Sequence, residues 1–451
     1  MSAAGSDDYA RKTERLVAAI AAAPPHDGAI GLAKKTSNLF RDRVRRRPRI
    51  DLSHFDAVVA VDRDRAIVEA EGMTTFVDLA DATLAQGMMP AVVPQLKSIT
   101  LGGAVAGVGI EATSFRHGLV HDTIVAMDVL TGDGHIVTCS PDDEHRDLFH
   151  GFPNSYGTLG YVLKLTARTL SVERHVRVEH ARHDDADRFF SDLANACADD
   201  DVDFVDGVAF GRGDLVLSCA SFVDAAPWTS DYTFERIYYR SLREKTVDYL
   251  TTRDYLWRWD TDWFWCSRNV GAQHPLLRRL YGRRRLNSIT YQKIMRWNTR
   301  VGAIAALNRL RGIHSESVIQ DVDIPLAHCA EFLDFLFDEV GILPIWICPI
   351  RAPDPANGAT LYPLPRATLS VNFGFWDSVA THEAQPAGLV NRRIERKVAE
   401  VGGIKSLYSD AYFTEDEFWA IYNRPAYAAL KARYDPQDVL GDLYRKVVLR
   451  A

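Results

Sequence analysis

The sequence predicts an α+β fold, on three observations. Short strand-like runs come in pairs joined by polar turns. Helix-like runs do not alternate with them as βαβ units. The densest glycine cluster stands outside any strand–helix–strand context, which a doubly wound nucleotide fold would require.

Elements can be assigned in order. The first residues, MSAAGSDDYARKTERLVAAIAAAP, place acids before a short, Arg- and Lys-interrupted apolar stretch. That pattern reads as an amphipathic helix over Asp7–Ala23, ending before Pro24-Pro25, and not as a signal peptide. Residues 57–61 and 66–70 alternate as two short strands around the turn Asp62-Arg63-Asp64-Arg65. Thr74 or Thr75 caps a helix from Phe76 to Gln86 that ends at Gly87. Strand-like runs follow at 88–93, 124–131, 135–139 and 161–170, with Gly132-Asp133-Gly134 as a hairpin turn. After about residue 175 the character shifts. Further strand-like runs lie in 202–222 and 318–350, with a helix over 326–340. An aromatic and basic segment spans 234–307, and helices occupy 415–422 and 426–434.

Bulk properties exclude several classes. A length of 451 residues allows about two to three domains. The formal charge of −7 argues against a general nucleic-acid binder, which carries a basic excess. Six cysteines without a CxxC pair suggest neither a zinc site nor a disulfide framework, so no metal is expected. Reduced thiols fit a cytoplasmic location. No run approaches the roughly 18 apolar residues a spanning helix needs.

Residues 94–118 read PQLKSITLGGAVAGVGIEATSFRHG, with Gly102, Gly103, Gly107 and Gly109 among small residues. Such a run suits a diphosphate cradle, because glycine lets a ligand approach the backbone. It equally suits a small-residue helix packed on a sheet.

The stretches IDLSHFDAVVAVDRDRAIVEAEGMTTFVDL, VVPQLKSITLGGAVAGVGIEATSFRHGLVHD and SYGTLGYVLKLTARTL resemble the FAD-binding domain of the vanillyl-alcohol-oxidase (PCMH-type) superfamily. Within it they are most similar to the Diminuto-type delta(24)-sterol reductases. ESVIQDVDIP, LPIWICPI and LYSDAYFTEDEFWAIYNRPAY extend the resemblance downstream. It implies a two-lobed FAD domain (1–172), an α+β substrate or cap domain (173–400) and a C-terminal helical segment (401–451) completing the site.

It also implies three cofactor loops. One is Thr100, Leu101, Gly102, Gly103, Gly107, Gly109, Ile110, Glu111 and Ala112, with His117 and Gly118 beyond. The second is Lys35, Thr36, Ser37 and Asn38, after Lys34. The third is Gly157, Thr158 and Gly160. Many superfamily members carry a flavin-linked histidine in the 34–38 loop; this chain has none, so non-covalent FAD is expected. Ala411 and Asn372 stand where the sterol reductases tend to have Cys and Asp, so substrate identity does not carry over.

The implied reaction is reduction of an isolated carbon–carbon double bond with electrons from NADPH. The reverse desaturation, or a non-catalytic lipid-binding flavoprotein, are the alternatives. Reduction requires a proton donor. Tyr408 and Tyr412 are candidates, oriented by Asp410 on a shared strand face, or anchored in a core. Gln320 and Asp321 either touch the reacting groups or cap a loop. Trp346 and Cys348, sharing one strand face, wall a lipid pocket or pack a core. Six arginines in nine residues (41, 43, 45, 46, 47, 49) suit anionic headgroups, the NADPH phosphates or plain solvent. Trp257, Trp259, Trp263 and Trp265 beside arginines suit an interfacial lid or a packed cap. The expected substrate is therefore a lipid, a methylene-branched fatty acyl chain or a sterol side chain, taken at a membrane surface by a protein peripheral on the inner face.

Overall fold

A computed structural model describes residues 3–21, 30–41, 48–301, 312–352, 360–365, 368–383 and 385–450. Two antiparallel sheets dominate it. The first holds β3 (Val58–Asp62), β4 (Ile67–Glu71), β6 (Ile124–Leu130), β7 (Ile136–Cys139) and β8 (Tyr161–Ser171). Its order is β3-β4-β8-β6-β7, with β5 (Met88–Pro90) also paired to β8. A separate two-stranded parallel sheet joins β1 (Gly31–Ala33) to β2 (Arg49–Asp51).

The local signals hold here. Thr75 caps α2 (Phe76–Leu84) by accepting from Asp78 N, and Gly87 at φ +70° ends that segment. The amphipathic N-terminal helix α1 runs from Ala3 to Ala21. Lys12 on it reaches the buried Glu71 carboxylate at 2.8 Å, tying the helix to this sheet. The glycine cluster forms α3 (Leu101–Ala106), capped by Thr100.

The second sheet contains β9 (His175–His183), β10 (Phe204–Gly211), β11 (Asp214–Val223), β12 (Val247–Thr251), β13 (His314–Pro325), β14 (Ile345–Ile350), β15 (Ser370–Thr381) and β16 (Ile404–Lys405). Their order is β12-β9-β11-β10-β14-β15-β13-β16. Side chains alternate between faces along a strand, and here both faces are buried. Val205, Ala209, Ile345, Ile347, Val318 and Val322 share a core with α4 (Ala186–Ala198), α7 (Cys329–Phe335) and α8 (Leu389–Glu400). Phe204, Val208, Trp346 and Cys348 belong to a second core, shared with the first sheet. Between α4 and α7 lie α5 (Pro275–Tyr281) and α6 (Ser288–Val301). Two C-terminal helices, α9 (Glu415–Ile421) and α10 (Arg424–Tyr434), close the chain's contacts, the first with a Thr414–Glu417 capping box.

Two expectations require correction. Residues 408–412 do not form a strand: β16 is two residues long, and the chain then runs through a turn and irregular backbone. The shared face expected for Tyr408, Asp410 and Tyr412 therefore does not exist. The tryptophan cluster is not an interfacial helix either. Trp257, Trp259, Trp263 and Trp265 are all buried, because irregular backbone folds them between the two sheets. Buried polar groups pin this segment. Asp260 accepts from Lys97 N at 3.2 Å and from Ser288 Oγ at 2.7 Å, while Asp262 takes Arg278 at 2.6 and 2.9 Å.

Candidate active site

A cavity of about 750 Å³ lies where the two sheets, the 34–41 loop and the C-terminal segment meet. Of the expected cofactor residues, Lys35, Thr36, Ser37, Asn38, Thr100, Gly102, Gly103, Gly107, Gly109, Ile110, Gly157 and Gly160 line it. The three loops thus converge although they are spread over more than a hundred positions of the sequence. The 34–41 loop is held there by long-range contacts. Phe40 N donates to Tyr408 O at 3.0 Å, and Gln292 Nε2 to Asn38 Oδ1 at 2.9 Å. Arg41 is buried and donates to Leu407 O and Lys446 O. With Arg49 donating to Leu32 O, two of the six clustered arginines serve local structure. Arg43, Arg45, Arg46 and Arg47 lie outside the described residues.

The glycines divide into two jobs. Gly102 packs on the first sheet: its N–H donates to Gly72 O at 2.9 Å, and a Cβ there would stand 2.7 Å from that same oxygen. Gly103 faces the cavity: a Cβ would stand 2.7 Å from Thr100 Oγ1 and point toward Lys34 Nζ at 3.8 Å. Both sequence readings of the cluster, cradle and packing helix, are therefore realised by adjacent residues.

Polar groups without partners also face the cavity. Among the described residues, Ser37 Oγ, Gln95 Nε2 and Asp321 Oδ1 are buried without a hydrogen-bond partner. Unpaired buried polar groups are costly, so a polar ligand is the natural complement. A cavity with glycine walls, Lys34, Lys35 and unpaired donors fits a flavin dinucleotide. The lining contains neither His nor Cys among the described residues.

Several expected residues lie elsewhere. Leu101 and Ala112 are core side chains and Thr158 is buried behind the loop, its hydroxyl donating to Ser155 O at 2.7 Å. His117 and Gly118 do not line the cavity; burial and then Arg116 hold the His117 imidazole below its usual range. Glu111 turns away from the cavity into an enclosed cluster. Arg258 bonds its carboxylate at 3.0 Å and that of Asp206 at 2.8 Å, and Trp259 and Trp346 both donate to Asp206 at 3.3 Å. Burial pushes the Glu111 carboxyl up to about 7, against the pull of Arg258. Removing Arg258 leaves two carboxylates uncompensated. Arg258→Ala should lower stability by about 3–5 kcal/mol, read by urea unfolding; a loss near zero would show the cluster to be dispensable.

The candidate acids also rearrange. Gln320 faces α8, where its amide bonds Asn391, because it shares a strand face with Val318 and Val322. Its neighbour Asp321 points the other way, into the cavity. Tyr412 and Asp410 do not line the cavity: Arg450 donates to the Tyr412 hydroxyl at 3.2 Å and pairs with Asp410 at 3.1 Å. Tyr408 does line it. Its hydroxyl accepts from Trp376 Nε1 at 2.8 Å and lies beside the Asp321 carboxyl. Burial pushes that carboxyl well above the usual carboxylate range. The Tyr408 hydrogen bond opposes the shift, and the Asp323 charge adds to it. Burial likewise raises the Tyr408 phenol.

Around this pair stands an aromatic wall. Trp263, Phe264, Trp346 and Trp376 line the cavity, with Phe264 4.4 Å from Trp376 and 5.5 Å from Trp346 between ring centroids. Trp263 stacks on Phe40 at 5.4 Å. Trp263 and Phe264 both adopt left-handed backbone, at φ +44° and +57°. Bulky residues rarely do so, and such strain collects at functional sites. Cys348 shares the face of Trp346 but is fully buried and does not reach the cavity. Asn372 donates to Asp323 at 2.7 Å, and Ala411 is a core residue. Phe264 and Trp376 were not among the expected site residues; Trp263 was expected only in a lid or packed cap, and Asp321 either to touch the reacting groups or to cap a loop. Alternation along 314–325 separates Gln320 from Asp321, but not which of them meets the cavity.

The FAD binding domain family matches residues 8–140. The chain is 24% identical over 406 residues to the delta(24)-sterol reductase of Homo sapiens, covering 86% of this chain and 76% of that protein. It is 22% identical over 432 residues to the delta(24)-sterol reductase of Arabidopsis thaliana, covering 88% and 76%. To cytokinin dehydrogenase 10 of Oryza sativa subsp. japonica it is 27% identical over 158 residues, 34% of this chain and 28% of that protein.

Proposed function

We propose that this chain, an FAD-dependent oxidoreductase homologous to the delta(24)-sterol reductases over most of its length, reduces an isolated carbon–carbon double bond of a lipid. The substrate is a methylene-branched fatty acyl chain or a sterol side chain, and NADPH is the electron donor. The observation that carries this reading is a buried carboxyl, Asp321, beside Tyr408 in a cavity walled by aromatic rings.

The loops 34–38, 100–110 and 157–160 would hold the dinucleotide, without a covalent bond. When bound, it supplies hydride transfer at N5. The remaining chemistry falls to the chain. Reducing an unactivated alkene places positive character on the carbon that does not receive hydride. An acid positioned at that carbon is then required. Burial disfavours the Asp321 anion and so favours the protonated acid. Asp321 gives its proton to the second carbon, and Tyr408 orients it and donates to the carboxylate that forms. Solvent then reprotonates Asp321 to close the cycle. Trp263, Phe264, Trp346 and Trp376 exclude water and hold an apolar chain against the acid.

Anaerobic mixing tests the proposal. NADPH should bleach the flavin, and a methylene-branched phospholipid or a sterol with an isolated side-chain double bond should restore its colour, giving the saturated product. Bleaching by the saturated lipid, with none by NADPH, would make the protein a desaturase. Acid precipitation gives a second, simpler result. All yellow colour should enter the supernatant, and colour kept in the pellet would refute non-covalent binding.

A further inference from the structure

Charge is strongly segregated along this chain. The whole sequence carries 53 Lys and Arg against 60 Asp and Glu. Residues 263–315 hold 11 of those basic residues and no acidic one. The rest of the chain is left with 42 basic against 60 acidic residues, a net charge of −18.

The same segment carries most of the large exposed apolar side chains among the described residues. On α5, Leu276 is 64% exposed and Leu280, one turn later, 75%. On α6, Trp297 is 62% exposed, with Ile289 on the same side two turns earlier. The two helices touch through Tyr281 and Tyr291, whose rings lie 6.3 Å apart. Arg284, Arg285 and Lys293, which lie between Leu280 and Trp297 in the sequence, are exposed as well. A patch of large apolar side chains set among cations is unfavourable in water and complementary to an anionic lipid surface.

Its position ties it to the cavity. Arg296, beside Trp297 on α6, lines the cavity and donates to Ser37 O, and Gln292 on the same helix holds Asn38. One helix thus carries the exposed tryptophan outward and props the 34–38 loop inward.

From this arrangement we infer that the α5–α6 face docks on an anionic bilayer surface, with Leu276, Leu280 and Trp297 entering the headgroup region and the arginines meeting lipid phosphates. The docked face sets the cavity wall beside the membrane, so that an acyl or sterol chain passes in without crossing water. The inference rests on the lipid-substrate reading above, but its test is independent of turnover.

The purified full-length protein is sedimented with vesicles of phosphatidylcholine alone, or of phosphatidylcholine mixed with phosphatidylglycerol. Binding should appear with the anionic vesicles, fall as salt is raised, and be near absent with phosphatidylcholine. The triple variant Leu276→Ser, Leu280→Ser, Trp297→Ser should lose at least tenfold in affinity while keeping its bound flavin. Should it lose the flavin, Arg284→Glu with Arg285→Glu is measured instead, with the same loss expected. No binding by the unaltered protein, or unchanged binding by a flavin-retaining variant, would overturn the inference. So would light scattering that showed a dimer dispersed by the triple substitution, since the face would then cover a second copy. Turnover of lipid dispersed in detergent needs no docking. Its failure would count against the reductase reading and leave the vesicle result standing.

Discussion

Asp321→Asn is expected to leave flavin binding and flavin reduction by NADPH intact, and to slow lipid reduction by about 10²–10⁴-fold, the usual worth of a positioned acid. Asparagine keeps the size of the side chain and its place beside Tyr408, but offers no acidic proton. The two half-reactions should therefore separate. Bleaching by NADPH proceeds at the original rate, and reoxidation by the lipid becomes slow. The pH dependence has a definite sign. Burial raises the Asp321 pKa, so the protonated acid persists above the usual carboxylate range and is lost as pH rises through the raised value. Lipid-driven reoxidation should fall on the alkaline side in the unaltered enzyme and lose that limb in the variant. Tyr408→Phe should give a smaller loss, since it removes the orienting hydroxyl and leaves the acid. Equal reoxidation rates in Asp321→Asn and the unaltered enzyme would sink the assignment and return the search for the donor to other cavity groups.

Gly103→Leu should abolish flavin retention without unfolding the protein. The added side chain points into the cavity, first against Thr100 Oγ1 and then toward Lys34. It fills the space a dinucleotide would take and leaves the sheet beneath untouched. The neighbouring Gly102→Ala is the informative contrast. Its Cβ would meet the backbone oxygen of Gly72, which cannot rotate aside. The cost then falls on the packing of α3 against the first sheet, about 1–3 kcal/mol for an overpacked contact. Visible absorbance of the purified proteins and urea unfolding curves read the two effects separately. A fully flavinylated Gly103→Leu protein would show that the cofactor lies elsewhere in the cavity.

The contrast between adjacent glycines shows what kind of information the sequence carried. Composition at 102–109 revealed that side chains had to be absent there, and it suggested both a ligand and a packing contact. It could not assign those reasons to individual positions, because the packing of Gly102 is set by the distant Gly72, and what Gly103 faces is a cavity assembled from distant segments. The aromatic segment behaved similarly. Four tryptophans beside arginines were visible at once, yet their burial follows from Asp260 and Asp262 binding Lys97, Ser288 and Arg278. The exposed apolar face lies instead one segment later, on α5 and α6.

By itself the sequence determined what short-range physics controls. The hairpins of the first sheet follow from period-two alternation around polar turns. The Thr75 cap and the stop at Gly87 follow from local hydrogen bonding and a positive φ. The glycine cluster announced a close backbone approach, and FAD came with the family resemblance. Tertiary structure alone decided which side of β13 meets the cavity, placing Asp321 there and sending Gln320 to α8. It also decided that Tyr408, and neither Tyr412 nor Asp410, stands at the site, through the bond from Phe40 N to Tyr408 O. The reason is the same in each case. Alternation fixes which residues share a face, but the face that becomes a cavity depends on contacts between segments hundreds of residues apart, and those arise only when the two sheets close on one another.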